Sequence, residues 1–332
     1  MKIAVLGCGA IGGLFLGYLS GKGYAASGIV RDYQQEVLKK EGLLIVSPKA
    51  GEQKIEVKVS TSLCEKVDLA IFATKINGLK EIIEQNIPYL KDATVLSTQN
   101  GIRADYILNE YFPKEKIITG IVMFGATFYA PNKVVHNFEG DLILGNIFNS
   151  QVDDFDKVEE ILASTFSTAR IGDIKGAKYL KLFINLNNCI PATLGLSMQE
   201  TFASQECAKL AIHLNREAYE IVKKCEIELE SLPSYPRERI EGLASAPVDE
   251  AAVILSKVMT TLSKEPLYGS ILQSIKRGKV SEIDYINGEI VKLAESNGLL
   301  APLNKKITEA VHAVEKKGEF FTEDGLFQHI SN

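Results

Sequence analysis

The chain predicts an α/β domain built on a mostly parallel sheet, followed by an all-α domain, on three observations. From residue 2 to about 174, short apolar runs alternate with segments of helical periodicity, as βαβ units do. A glycine-rich turn, Gly7-Cys8-Gly9-Ala10-Ile11-Gly12, joins the first apolar run to the first helical one. Beyond about residue 175 the strand-like runs stop and helical segments follow one another. Pro233, Pro236, Pro247, Pro266 and Pro302 fall between these segments, where a missing N–H interrupts no backbone ladder. A length of 332 residues fits two domains better than one core, and the change of pattern places them at 1–174 and 175–332.

In order, the first domain predicts strands at Lys2–Leu6, Ala25–Val30, Asp68–Ala73, Thr94–Thr98 and Ile117–Val122, with helices near 10–21, 33–41, 77–90 and 102–112. These five strands form a twisted sheet. Phe124 to Gly145 reads as two extended runs around a Pro131-Asn132-Lys133 turn, and so as a hairpin at the sheet edge. A helix over 151–168 and a short strand at Arg170–Ile174 close the domain. The second domain predicts helices over 177–190, 200–231, 248–263, 281–297 and 303–316.

Composition narrows the class. Hydrophobic residues make up 46% and charged residues 24%, as in a soluble globular protein. A net charge of −5 offers no basic surface to nucleic acid, so a small-molecule partner is expected. The uncharged run from Ile3 to Gly21 is broken by five glycines, which argues against a signal peptide or a membrane span. The five cysteines are scattered without a C-x-x-C pair, and the four histidines are isolated. A reduced cytosolic protein without disulfide framework or metal site is therefore expected. The long 200–231 segment could pack within a monomer or across a homodimer, and its pattern leaves both open.

The glycine turn follows a strand and opens a helix, which is the context a dinucleotide fingerprint requires. Gly7 permits the tight turn, Gly9 lets backbone approach a pyrophosphate, and Gly12 lets helix pack on strand; the helix N-terminus then presents free N–H groups. A Rossmann-type domain is the result. Arg31 ends the second strand where an NAD-specific enzyme places a carboxylate, and a guanidinium there pairs with a 2′-phosphate, which favours NADP(H). Asp32 reads as the N-cap of the next helix. Lys75 and Asn100 close two further strands at the crevice where open α/β sheets bind ligands. Lys75 would approach cofactor phosphate or ribose, and Asn100 cofactor and substrate together.

In the second domain Lys181, Asn185 and Asn188 fall within about 60° of one another on an ideal helix. Leu180, Leu182, Phe183, Ile184, Leu186 and Ile190 make that helix apolar on most of its circumference. A buried ammonium without purpose is costly, so Lys181 is the candidate general acid: hydride addition to a ketone leaves an alkoxide that must be protonated. Glu282 follows Ser281, an N-cap candidate, and the helix dipole would keep it ionised as an acceptor for substrate hydroxyl, cofactor ribose or Lys181. Ser270 offers a hydroxyl to a carboxylate.

Taken with Gln99-Asn100-Gly101, Lys181-Leu-x-x-Asn185, Ser270-Ile-Leu-Gln and Glu282-Ile-Asp-Tyr-Ile-Asn-Gly288, the chain resembles the ketopantoate reductase (2-dehydropantoate 2-reductase) family over nearly its whole length. The resemblance implies a C-terminal domain like that of 6-phosphogluconate dehydrogenase. It also implies NADPH-dependent reduction of 2-dehydropantoate to pantoate, towards pantothenate and coenzyme A, with Lys181 as proton donor. Asn100, Asn185, Ser270 and Glu282 would then surround substrate and nicotinamide. One departure stands out. The family's second substrate asparagine falls at Cys189, and Asn188 is the nearest amide to replace it. Reduction of another 2-oxo acid, an opine-type reduction of an imine, and a non-catalytic NADP(H)-binding sensor remain as alternatives. Retention of Lys181 and Glu282 argues against the sensor.

Overall fold

The structure, a computed structural model, describes residues 1–331 and divides into two compact units, Met1–Lys175 and Gly176–Asn332. Each has its own core.

The first unit holds an eight-stranded sheet in the order β12-β11-β8-β7-β6-β1-β2-β5. Its centre is β1 (Lys2–Leu6), β2 (Ala25–Ile29), β6 (Leu69–Phe72), β7 (Thr94–Ser97) and β8 (Ile117–Val122), all parallel and all within a residue of the predicted bounds. Their near-continuous apolar sequences follow from burial on both faces. Helices α1 (Ala10–Gly21), α2 (Asp32–Glu41), α3 (Leu79–Leu90) and α4 (Arg103–Asn109) connect them. The sheet is longer than expected because β5 (Lys58–Ser60) pairs with β2, while β11 (Leu142–Gly145) runs antiparallel to β8 and carries β12 (Thr168–Arg170). The predicted Arg170–Ile174 strand is displaced towards the N-terminus. Ile174 instead opens α6 (Ile174–Leu186), and the 151–168 helix shortens to α5 (Phe155–Ala163).

The predicted hairpin exists, as β9 (Gly125–Ala130) and β10 (Lys133–Phe138). It does not extend the main sheet. β10 pairs with β3 (Leu43–Ser47), which pairs with β4 (Gly51–Ile55), to make a second sheet of four strands packed on α1. A Cβ on Gly13 would stand 2.7 Å from Val134, and one on Gly17 would meet Leu43 at 3.0 Å. The glycines of α1 thus let a sheet approach the helix. Behind it Phe124 and Phe166 stack at 4.9 Å, Phe15 packs on Phe166 at 4.8 Å, and His136, 2% exposed, meets the Tyr18 hydroxyl at 2.8 Å through Nδ1.

The second unit is helical. Where long helices were predicted, several are divided. The 177–190 segment becomes α6 and α7 (Cys189–Leu194), and the 200–231 segment becomes α8 (Met198–Ala203) and α9 (Gln205–Lys224). Ser204 divides the latter because its hydroxyl accepts the Cys207 N–H and caps α9. Helices α10 (Glu238–Ser245), α11 (Val248–Thr260) and α12 (Ser270–Lys276) follow. The 281–297 segment is a 3-10 turn at Ile283–Tyr285 and then α13 (Asn287–Ser296). Helix α14 (Pro302–Lys317) starts with proline in its first turn, and Glu217 accepts the amides of Leu303 and Asn304 there. The terminal α15 (Glu323–Ser331) is tied back through Phe321 N–H to Thr193 O at 2.9 Å, the Lys306 ammonium to Ile330 O at 2.9 Å, and Ser204 Oγ to Glu323 at 2.6 Å. No helix among the described residues is long and apolar enough to cross a membrane.

Candidate active site

In the first unit the predicted residues collect at the carboxyl ends of the central strands, on either side of the point where strand order reverses between β1 and β6. Gly7 has φ +94°, and a Cβ there would stand 2.6 Å from the Thr74 amide nitrogen. A Cβ on Gly12 would collide with the Gly7 carbonyl oxygen. Gly9 is exposed with nothing within 4 Å of its missing side chain. A tight turn, a close helix and an open backbone face are what a pyrophosphate needs. The residues therefore fit a dinucleotide, with the amides of Ala10 and Ile11 in the first turn of α1.

Cys8 contributes only its backbone to this turn. Its side chain is buried, burial pushes the thiol up to about 12, and its carbonyl accepts the Gln34 side-chain amide at 2.8 Å. Arg31 is exposed at the end of β2 and itself occupies the N-cap of α2, with φ −78° and ψ 156°. Asp32, expected at that cap, is instead the first helical residue, because the chain turns one residue earlier. Lys75 is exposed and precedes the 3-10 turn at Ile76–Gly78. Asn100 follows Gln99, which is buried and donates through Nε2 to the carbonyls of Phe72 and Thr74, both at 2.9 Å. Gln99 thereby ties the end of β7 to the end of β6. Only its place beside Asn100 in the sequence hinted at this role.

In the second unit Lys181 and Asn185 share one face of α6, four residues apart and both half-buried. Burial alone lowers the Lys181 ammonium from its ordinary 10.5 to about 8, although the side chain as a whole keeps some exposure. The charged tip lies in the enclosed part. The ideal-helix argument for Asn188 does not hold, because α6 ends at Leu186. Asn188 N–H bonds Asn185 O at 3.0 Å, a tightened i−3 contact, and Asn188 becomes the N-cap of α7. The same turn packs Asn188 against Gly269: a Cβ there would stand 2.8 Å from Asn188 Oδ1. The structure thus brings Asn188 to the residue preceding Ser270, which is exposed at the start of α12. Cys189 is fully buried, its thiol donating to Leu186 O at 3.0 Å and pushed up to about 12 by burial. It belongs to the core beside Asn287, whose amide reaches Leu186 O and Asn304.

Glu282 is 8% exposed. It is not the first-turn carboxylate of a long helix, because α13 begins only at Asn287. Glu282 stands instead at the N-cap of the Ile283–Tyr285 turn, with Ser281 Oγ accepting the Ile283 amide at 3.2 Å. Sequence reasoning missed the groups that hold this turn. Glu315 accepts the Ser281 amide at 2.7 Å, and His312 bridges Glu315 and Asp284. An isolated histidine gave no signal of it.

The doubly wound sheet and its glycine turn define a protein of the dinucleotide-binding class. The ketopantoate reductase PanE/ApbA model matches residues 3–149, and the model of that family's C-terminal part matches residues 173–315. The chain is 30% identical over 325 residues to the 2-dehydropantoate 2-reductase of Pyrococcus horikoshii, covering 96% of this chain and 99% of that one. It is also 30% identical to the Pyrococcus abyssi enzyme of the same name, over 92% of this chain and 94% of that one. Among solved structures, a D-mandelate dehydrogenase with NADH and anilino(oxo)acetate superposes with a TM-score of 0.82 at 25% identity, covering 95% of this chain and 99% of that one. A PanE/ApbA family ketopantoate reductase from Ralstonia eutropha superposes with a TM-score of 0.80 at 22% identity, over 96% and 99%, and shows the shared fold. The chain belongs to the ketopantoate reductase family.

Proposed function

We propose that the protein reduces 2-dehydropantoate to pantoate with NADPH, towards pantothenate and coenzyme A, with Lys181 as proton donor. The observation that carries this reading is the Lys181 ammonium, lowered to about 8 on the face of α6 that also bears Asn185. Such a group is still mostly protonated at neutral pH, yet gives up its proton far more readily than a solvated lysine. Held through its pyrophosphate at the Gly7–Gly12 turn, NADPH would supply the hydride. Arg31 would pair with a 2′-phosphate, the Ala10 and Ile11 amides with the pyrophosphate, and Lys75 with phosphate or ribose. Lys181 would protonate the oxygen that was the 2-oxo group. Asn185, Asn188, Asn100 and Ser270 would hold the carboxylate and hydroxyl of the substrate, and Glu282 would accept hydrogen bonds from substrate or ribose. Membership of the 2-dehydropantoate 2-reductase relatives supports the substrate. The partner is thus a small 2-oxo acid, and the protein acts in the cytoplasm.

A second reading rests on one observation. A D-mandelate dehydrogenase is as similar in fold as the family's own reductases, and Cys189 offers no amide. Another 2-oxo acid would then be the substrate, selected around Asn188. Loss of NADPH absorbance with ketopantoate, beside phenylglyoxylate and other 2-oxo acids and with NADH as control, decides between them. Preference for ketopantoate with NADPH upholds the first reading, and turnover of another acid alone overturns it. Lys181→Ala should abolish turnover while leaving NADPH affinity intact; unchanged turnover would remove Lys181 from the mechanism.

A further inference from the structure

His312 lies on α14 between two carboxylates. Its Nε2 is 2.9 Å from Asp284 Oδ1 and its Nδ1 is 3.0 Å from Glu315 Oε2. The carboxylates take opposite edges of one ring, so they cannot converge on a cation, and no metal-holding group exists among the described residues. Their positions along the chain matter more. Asp284 lies two residues after Glu282. Glu315 accepts the amide of Ser281, the residue before it, at 2.7 Å. The three side chains therefore grip the Glu282 turn from both sides and fasten it to α14.

We infer that His312 is a positioning residue: as a cation it joins Asp284 to Glu315 and fixes the turn that presents Glu282, and as a neutral ring it releases one side. The chemistry follows from the number of donors. Imidazolium has two N–H groups and can satisfy both carboxylates, whereas neutral imidazole has one and turns a lone pair towards the other carboxylate. Partial burial disfavours the charged ring, but the hydrogen bonds to Asp284 and Glu315 outweigh it and raise its pKa above the ordinary 6.5. Asp284, from the 3-10 turn, and Glu315, on its own helix, are the charged groups acting on the ring. The folded pKa is the higher one, so the stabilisation is fully present below the unfolded value and is lost as pH rises through the folded one.

The inference rests on the proposed role of Glu282 in holding substrate or cofactor. The test is steady-state kinetics with NADPH and ketopantoate from pH 6 to 9 on wild type, His312→Gln, His312→Lys and Glu282→Gln, with histidine ring titration by NMR and circular dichroism to verify folding. His312→Gln is expected to raise KM about fivefold at low pH, the size a half-exposed ion-pair network can supply, with kcat within about twofold. Wild-type KM should climb with pH as the ring loses its proton, and His312→Lys, which keeps a cation, should abolish that climb. Because proton donation by Lys181 acts on kcat, the two titrations separate. Impaired Glu282→Gln beside His312→Gln with wild-type KM and pH profile would overturn the inference alone. Glu282→Gln indistinguishable from wild type would overturn both it and the site reading beneath it.

Discussion

Lys181 carries a cost that the fold does not need. Its folded pKa of about 8 lies below its ordinary 10.5, so between those values the unfolded chain binds more protons and stability rises with pH. Below pH 8 the cost is fully present, at most roughly 3 kcal/mol once the residual exposure of the side chain is allowed for. Lys181→Met should therefore melt higher than wild type at pH 7, with the difference shrinking towards pH 10, while losing turnover. Thermal unfolding across pH checks this, and an equal or lower melting point at pH 7 would show that the ammonium is solvated. If Lys181 donates the proton as proposed, wild-type kcat should fall as pH rises through about 8, because the ammonium empties. At this scale the sequence was legible wherever a local steric rule applied. Gly7 and Gly12 are required by contacts a few ångströms away, and an apolar helix made Lys181 conspicuous. Asn188 and Cys189 were not legible, because their directions depend on a helix ending at Leu186 that periodicity does not reveal. His312 was invisible because its partners lie 28 residues upstream and three downstream, on different elements.

Elements divide by how they are held. Strands β1, β2, β6, β7 and β8 announce themselves because most of their residues are buried on both faces and their sequences are largely apolar. Strand β4, Gly-Glu-Gln-Lys-Ile, is mostly exposed and exists through pairing with β3, so no pattern marks it. The hairpin's turn was readable from Pro131-Asn132, but its partner strand was not, since β9 and β10 would show the same alternation on either sheet. The approach of that second sheet to α1 depends on the missing side chains of Gly13 and Gly17. Gly13→Val is expected to push Val134 away and destabilise the protein by about 1–3 kcal/mol, as overpacking does. Chemical denaturation measures it, and an unchanged midpoint would mean the sheet yields freely.

At the scale of the whole chain, two units with separate cores share one polypeptide, and ligand binding to either stabilises what it binds. NADPH at about a hundred times its dissociation constant should add roughly 2.7 kcal/mol to the stability of the state that binds it. At equal concentration NADH should add less, and Arg31→Ala should bring the two shifts together if the guanidinium meets the 2′-phosphate. Equal shifts in wild type would remove Arg31 from cofactor discrimination, and a larger shift with NADH would assign Asp32 to the ribose. The change of architecture after residue 175 was legible in the loss of strand-like runs and the placing of the prolines. The breaks inside the helices were not. One of these breaks has a consequence for how such a chain can diversify. Since α6 stops at Leu186 and a fresh helix opens at Cys189, a residue inserted in the turn between them would re-aim Asn188 without moving Lys181. On the proposed reading, the proton donor and the Asn188 amide therefore sit on opposite sides of a joint, and a lineage could exchange the second while inheriting the first unchanged.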